Sequence, residues 1–387
     1  MNRRELLALA AFAPVAAGQE RKADLGNLFP AVERLAAGRG YRLSYRTGNY
    51  KSLAEFHRAG RGRILELLGY RPAAVDPAPE VAERTECDGY VREKVIFSTG
   101  PEMRVPAYVL IPNGLRGKAP AIVDLHSHGG MYLYGKEKVV DLGTDNAVLK
   151  KYHAENYESR PTATALVKRG YVVISIDAFP FGERRMVLDE RPREELTVDE
   201  ARAINRQMAN KQSTVVNALA LAGMTWPGIV FWDDMRTVDY LVTRPEVDAK
   251  RIGCVGVSMG GYRSLYLAAL DERIRAGCVT GFMSTVRPMI RGHVDTHSAV
   301  HFLPGLHEDL DWPDVATLTA PRPLLVQQCK RDGLYPLAGM EAAVEQIRAG
   351  YEKAGVGARF AGEFYDEPHR FTIAMQERAF EFLGRHL

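Results

Sequence analysis

Gly256-Val257-Ser258-Met259-Gly260-Gly261 sets a serine among glycines, directly after the apolar run 252–257 and before Tyr262, Leu265, Ala268 and Ala269, which share a helical spacing. A strand that turns sharply into a helix holds its central serine in a strained conformation, and only glycine-sized neighbours let the chain approach so closely. The hydroxyl then stands above the sheet edge, with the first NH groups of the helix beneath it. A serine hydroxyl is a weak nucleophile at neutral pH, so it needs a base, and the base needs an acid that fixes its tautomer and stabilises its charged form. Asp332 follows the apolar run 323–326 in Lys330-Arg331-Asp332-Gly333-Leu334-Tyr335-Pro336, and His369 follows the last run in Asp366-Glu367-Pro368-His369-Arg370-Phe371. The order serine, aspartate, histidine results. Taken singly, these residues read equally well as a helix cap, a turn residue and a loop histidine. Asp366 is a rival acid whose closeness to His369 suits a turn, and Asp295 and Asp311 are weaker rivals.

Such residues must be carried by strand ends. Short apolar runs at 121–125, 171–176, 252–257, 323–326 and 359–365 lack polar alternation, and most are separated by segments of helical spacing, such as Met340, Ala343, Ile347 and Tyr351. Strands of that kind imply a parallel sheet covered on both faces, with ligands beyond its carboxyl ends. Runs at 90–97 and 105–111 predict an antiparallel start. Before them, 23–70 reads as helical. Ser52-Leu53-Ala54-Glu55 is its clearest start, and Ile64, Leu67 and Leu68 lie on one face. Gly69 and Pro72 stop this helix, and 71–80, with Pro72, Pro77 and Pro79, reads as a linker.

With the three motifs each placed after a strand, the chain resembles the α/β-hydrolase superfamily, in particular the bacterial branch around dienelactone hydrolases and acetyl xylan esterases. The resemblance covers residues 86–387, about three quarters of the chain. It implies an α/β-hydrolase fold: a mostly parallel central sheet with helices on both faces, preceded by a short helical N-terminal segment. It makes Ser258 the nucleophile, His369 the general base and Asp332 its orienting carboxylate. Acyl transfer also needs donors aimed at the developing oxyanion. The backbone NH of Met259 supplies one. The other is expected from Leu125-His126-Ser127-His128-Gly129-Gly130, which resembles the family's His-Gly-X loop with Ser127 in place of glycine. His128 is the expected donor, flanked by Ser127 and Gly129.

The implied activity is hydrolysis of a carboxylic ester through an acyl-enzyme, with small-molecule, acetylated or other carbohydrate-linked esters as candidate substrates and no metal or organic cofactor required. A serine peptidase related to prolyl oligopeptidases shares the triad order, but the N-terminal part here is too short for a propeller. A non-catalytic carbohydrate-binding protein on the same fold is the other alternative, although it need not keep all three residues.

The remaining features bound this reading. A chain of 387 residues with 46% hydrophobic and 26% charged side chains excludes disorder, and 51 basic against 48 acidic residues gives no reason to expect nucleic acid. Residues 1–18 read as an export signal in which Asn2-Arg3-Arg4-Glu5-Leu6-Leu7 resembles a twin-arginine type, with Ala8 where lysine is usual. The apolar stretch 6–17 falls short of the ~20 residues a spanning helix needs, so a periplasmic or secreted protein without membrane anchor is expected. Residues 19–85 then form a helical lead-in and linker, and 86–387 the catalytic domain.

Four cysteines make no disulfide scaffold and read as buried free thiols. His293, His297 and His301, with Asp295 and His307 nearby, would share a face on a helix as metal ligands do. Pro304, Gly305 and Pro313 instead predict a loop over the site, making pocket lining the better reading. Arg184 and Arg185 are candidates for a substrate carboxylate but suit surface pairs better. Trp226, Trp232 and Trp312 are expected in packing more than on a sugar platform. Loops at 131–165, 183–235 and 283–313 are expected to form the pocket.

Overall fold

The computed structural model describes residues 23–387; the expected export signal lies outside them. Nine strands form one sheet: β1 (Glu80–Cys87), β2 (Tyr90–Gly100), β3 (Met103–Pro112), β4 (Ala119–Leu125), β5 (Val172–Ile176), β6 (Val247–Val257), β7 (Ile274–Thr280), β8 (Leu324–Cys329) and β9 (Phe360–Tyr365), in the order β1-β2-β3-β5-β4-β6-β7-β8-β9. The pairs from β1 through β3 to β5 are antiparallel, and every pair from β5 to β9 is parallel. This is the expected α/β-hydrolase sheet.

Within β4, Ile122 joins the core on one face while Ala121 and Val123 join that on the other. Burial on both faces explains why these strands show no polar alternation. The helices used below are α1 (Leu53–Leu67), α2 (Ala147–Tyr157), α3 (Trp226–Leu241), α4 (Met259–Leu270), α5 (Trp312–Thr317), α6 (Leu337–Lys353) and α7 (Ile373–His386). Helices α2 and α7 contribute Tyr152, Phe380 and Leu383 to the core on one face. On the other, α1, α4, α5 and α6 meet through Phe56, Leu265, Trp312 and Ile347. Among the described residues, no single helix is long and apolar enough to cross a membrane.

Two expectations shift. The sheet begins at Glu80, within the stretch read as linker, because β1 is an edge strand whose residues are mostly exposed and so carries no apolar run. The lead-in also shares the main core. Ser52 caps α1 by accepting the NH of Glu55, and Phe56 and Ile64 are fully buried. The Ser44 hydroxyl donates to Asp314 at 2.6 Å, and the Arg63 Nε to Asp309 at 2.6 Å.

Candidate active site

Ser258 stands between β6 and α4 with φ +61° and ψ −124°, a region that costs a non-glycine residue about 1–3 kcal/mol. Its NH donates to the Thr280 carbonyl at 2.9 Å, and its carbonyl accepts from Tyr262 at 2.9 Å. The glycines are needed here for space. A Cβ on Gly260 would lie 1.9 Å from the Leu125 carbonyl oxygen, and one on Gly256 would lie 2.5 Å from Gly260. Met259 begins α4, so its NH is among those that a helix leaves without a partner of its own.

The Asp332 carboxylate (Oδ2) accepts from His369 Nδ1 at 2.5 Å, and its other oxygen accepts the NH of Leu334 at 2.9 Å. Asp332 is buried and His369 partly exposed. Burial alone would lower the histidine pKa; the charge and hydrogen bond of Asp332 outweigh it and raise it above 6.5. With Nδ1 held by the carboxylate, Nε2 is the free nitrogen. The ring rests against Gly281, where an added Cβ would lie 3.4 Å from His369 Cε1 and 3.5 Å from Val257 Cγ2. Gly281 follows Thr280, the residue bonded to Ser258, and Val257 precedes Ser258. Ser258, Asp332 and His369 thus follow β6, β8 and β9, and the Asp332–His369 pair lies near the turn that carries Ser258. The rivals stand elsewhere: Asp366 is exposed and paired with Arg331 at 3.0 Å, Asp295 is exposed, and Asp311 caps α5.

On the other side of Ser258, the loop after β4 is held from within. The Ser127 hydroxyl lies 2.5 Å from the Tyr152 hydroxyl and 3.1 Å from that of Tyr157, which explains why serine replaces glycine: its side chain is used as an anchor on α2. The glycine requirement moves to Gly129, where φ is +53° and a Cβ would lie 2.4 Å from the Tyr152 oxygen. His128 Nδ1 accepts the NH of Gly130 at 3.0 Å, so Nε2 carries the proton and donates to Tyr132 at 3.1 Å. Burial, with a further push from Lys138, lowers the His128 pKa to about 3, keeping the ring neutral.

Two fully buried lysines that sequence reasoning missed lie just beyond. Lys136 Nζ donates to Asp177 at 2.8 Å, Glu183 at 2.6 Å and Glu137 at 3.2 Å. Burial would lower its pKa, but the three carboxylates hold it above the usual lysine range. Those carboxylates also come close enough together to ligate a metal, yet the lysine ammonium already occupies their centre. Lys138 Nζ instead donates to the carbonyls of Ser127 at 2.9 Å and His128 at 3.0 Å, 4.5 Å from the Phe181 ring centroid. Burial pushes its pKa well below 10.5. Nothing in Lys136-Glu137-Lys138 signals burial, since three consecutive charges read as a solvated turn.

The segment carrying His293, His297 and His301 is largely loop, as expected. Their ligand atoms do not converge with other donors as a metal site among the described residues. His297 Nδ1 bonds the His293 carbonyl at 2.7 Å and His301 Nδ1 the Ser298 carbonyl at 3.1 Å, so both Nε2 atoms are acceptors, and both are buried without a hydrogen-bond partner among the described residues. His301 packs at 5.0 Å on Tyr262, in the first turn after Ser258, and His297 at 4.9 Å on Tyr335, just beyond Asp332. Met186, Met208 and Trp226 line a small apolar crevice with Tyr132.

The other candidates are structural. Arg184 pairs with buried Asp233 at 2.7 Å. The Trp226 and Trp232 NH groups donate to Phe179 and Thr99, and Trp312 is buried. All four cysteines are free, and only Cys87, on the edge strand, is incompletely buried.

This sheet, with its strained serine turn, defines an α/β-hydrolase. The Abhydrolase family model matches residues 44–376, well over half of the chain, and the chain belongs to that family. It is 26% identical over 329 residues to the Bacillus subtilis protein named "Putative hydrolase YtaP", covering 84% of this chain and 98% of that one. In fold it is similar to a Bacteroides fragilis structure named "putative acetyl xylan esterase" (TM-score 0.68, 20% identity, 91% of this chain and 84% of that one). It is also similar to a glucuronoyl esterase from Solibacter usitatus (TM-score 0.58, 16% identity, 87% and 94%).

Proposed function

We propose that the protein is a serine esterase that cleaves a carboxylic ester of a hydroxyl-rich, carbohydrate-like alcohol. The observation that carries this reading is the Asp332–His369 contact lying against Gly281 and Val257, beside the strained turn that presents Ser258. In the reaction, His369 Nε2 takes the proton of Ser258 Oγ as that oxygen attacks the ester carbonyl, and the NH groups of Met259 and His128 receive the oxyanion. Collapse expels the alcohol with the proton from His369, and water then resolves the acyl-enzyme with His369 again as base. Each proton lent to the imidazole is returned, so the cycle needs no cofactor. The structural relatives named as acetyl xylan and glucuronoyl esterases support the same class.

A fluorophosphonate should label Ser258, and Ser258→Ala should lower ester turnover by on the order of 10⁴-fold or more. Undiminished turnover in that variant refutes the assignment. A panel of aryl esters, acetylated sugars and amides separates this reading from a peptidase, which would favour the amides.

A further inference from the structure

On its far side the loop after β4 receives hydrogen bonds from two buried side chains, Lys138 and His126. The peptide between Ser127 and His128 is trans, so its carbonyl and its NH point in opposite directions. Its NH is the donor assigned to the oxyanion. Its carbonyl oxygen accepts from Lys138 Nζ at 2.9 Å. That oxygen also accepts from the His126 ring. His126 Nε2 takes the NH of Ala178 at 3.1 Å, which assigns the proton to Nδ1, and Nδ1 lies 3.0 Å from the Ser127 carbonyl. Lys138 binds the next carbonyl too, that of His128, at 3.0 Å. All of these side chains are withdrawn from water: Lys138 and His126 are fully buried, and Ser127 nearly so.

We infer that Lys138, together with His126, tunes the oxyanion site from behind by polarising the Ser127–His128 peptide. Hydrogen bonds at a carbonyl withdraw electron density from the NH of the same peptide, and chains of such bonds strengthen one another where water is excluded. Lys138 touches neither substrate nor reacting atoms. It is a positioning residue that raises the donor strength of the His128 NH and fixes its direction. The contrast with Lys136 supports this division of labour, since that lysine is saturated by carboxylates whereas the partners of Lys138 are two carbonyls of the loop. A lysine that merely filled space would not need its nitrogen on both of them.

The inference rests on the esterase reading, and the test separates the two. Ester kinetics and affinity for an alkyl boronic acid, which forms a tetrahedral adduct on the serine, are measured for the wild type, Ser258→Ala and Lys138→Met. Lys138→Met should lower kcat by on the order of 10- to 100-fold, somewhat less than loss of an oxyanion donor itself. KM should stay within about threefold, and boronate affinity should fall in parallel with kcat/KM. A fluorophosphonate should still label Ser258 in this variant.

If Ser258→Ala keeps its turnover, the esterase reading and this inference fall together. If Ser258→Ala is inactive while Lys138→Met retains wild-type kcat or wild-type boronate affinity, this inference alone fails. A rise in KM with kcat unchanged also overturns it. Should Lys138→Met lose its fold by circular dichroism, Lys138→Gln takes its place. With one amide donor retained, it should show an intermediate loss of kcat, and wild-type values there overturn the inference equally.

Discussion

On the β8 and β9 side of Ser258, a single contact joins Asp332 and His369, the pair to which the proposed function gives the handling of the proton, and the imidazole stays partly open to solvent. On the β4 side, the oxyanion loop is shut in by Tyr152, Tyr157, His126 and Lys138, with the Lys136 cluster packed just beyond. In the proposed mechanism the first side lets a group change its charge during each turnover, which suits few partners and access to water. The second must present a fixed dipole to a charge that forms and vanishes, and its stiffness comes from buried hydrogen bonds that do not rearrange. The proposed function therefore rests on few residues on one side and on many on the other.

The contrast breaks most visibly at the acid. Asp332→Asn should keep the fold but lower kcat by on the order of 10⁴-fold, because an amide presents the wrong tautomer partner to the imidazole. Steady-state kinetics with a thermal-unfolding control decides it, and a loss of only a few-fold would mean that another acid serves His369. Across the cleft, Lys136→Met should act on stability first. It leaves buried Asp177 without its cation, while Glu137 keeps Arg193 and Glu183 keeps Lys94, and breaking a buried pair in this way costs about 3–5 kcal/mol. Urea unfolding measures it, and an unchanged midpoint would show that the cluster is not cohesive.

The smallest effect is one of pH. Asp332 raises the pKa of His369, so kcat/KM should fall as pH drops through a value above 6.5, when the base becomes protonated. For stability the sign is opposite: a raised folded pKa favours the native state fully below the unfolded value of about 6.5 and loses that contribution as pH rises through the folded one. A pH–rate profile whose acid limb lies below 6.5 would show that the Asp332 contact does not govern the base.

The site was legible where chemistry imposes a sequence pattern. A strained serine needs its glycines, and the strained turn at Ser258 and the Asp332–His369 pair after the last two strands both follow local patterns of that kind. The parallel sheet was legible because burial on both faces writes continuous apolar runs. The edge strand β1 was not, since one exposed strand looks like any polar stretch. Lys136 and Lys138 were invisible for a different reason: their partners Asp177, Glu183 and the Ser127 carbonyl come from other loops, and only the folded chain brings them together. Ser127 looked like a departure from the family loop until Tyr152 and Tyr157 supplied its purpose.

The docking of the N-terminal segment has a consequence for how the molecule is made. Ser44 and Arg63 bond Asp314 and Asp309, some 270 and 246 positions later in the chain, and the carbonyls of Tyr45, Arg46 and Gly48 receive the Lys353 amine. At ~5–20 residues per second of synthesis, the first of these partners emerges roughly 12–50 s after the segment that awaits it. For that interval Phe56 and Ile64 have no finished core to enter, so the earliest part of the body to leave the ribosome is among the last to settle.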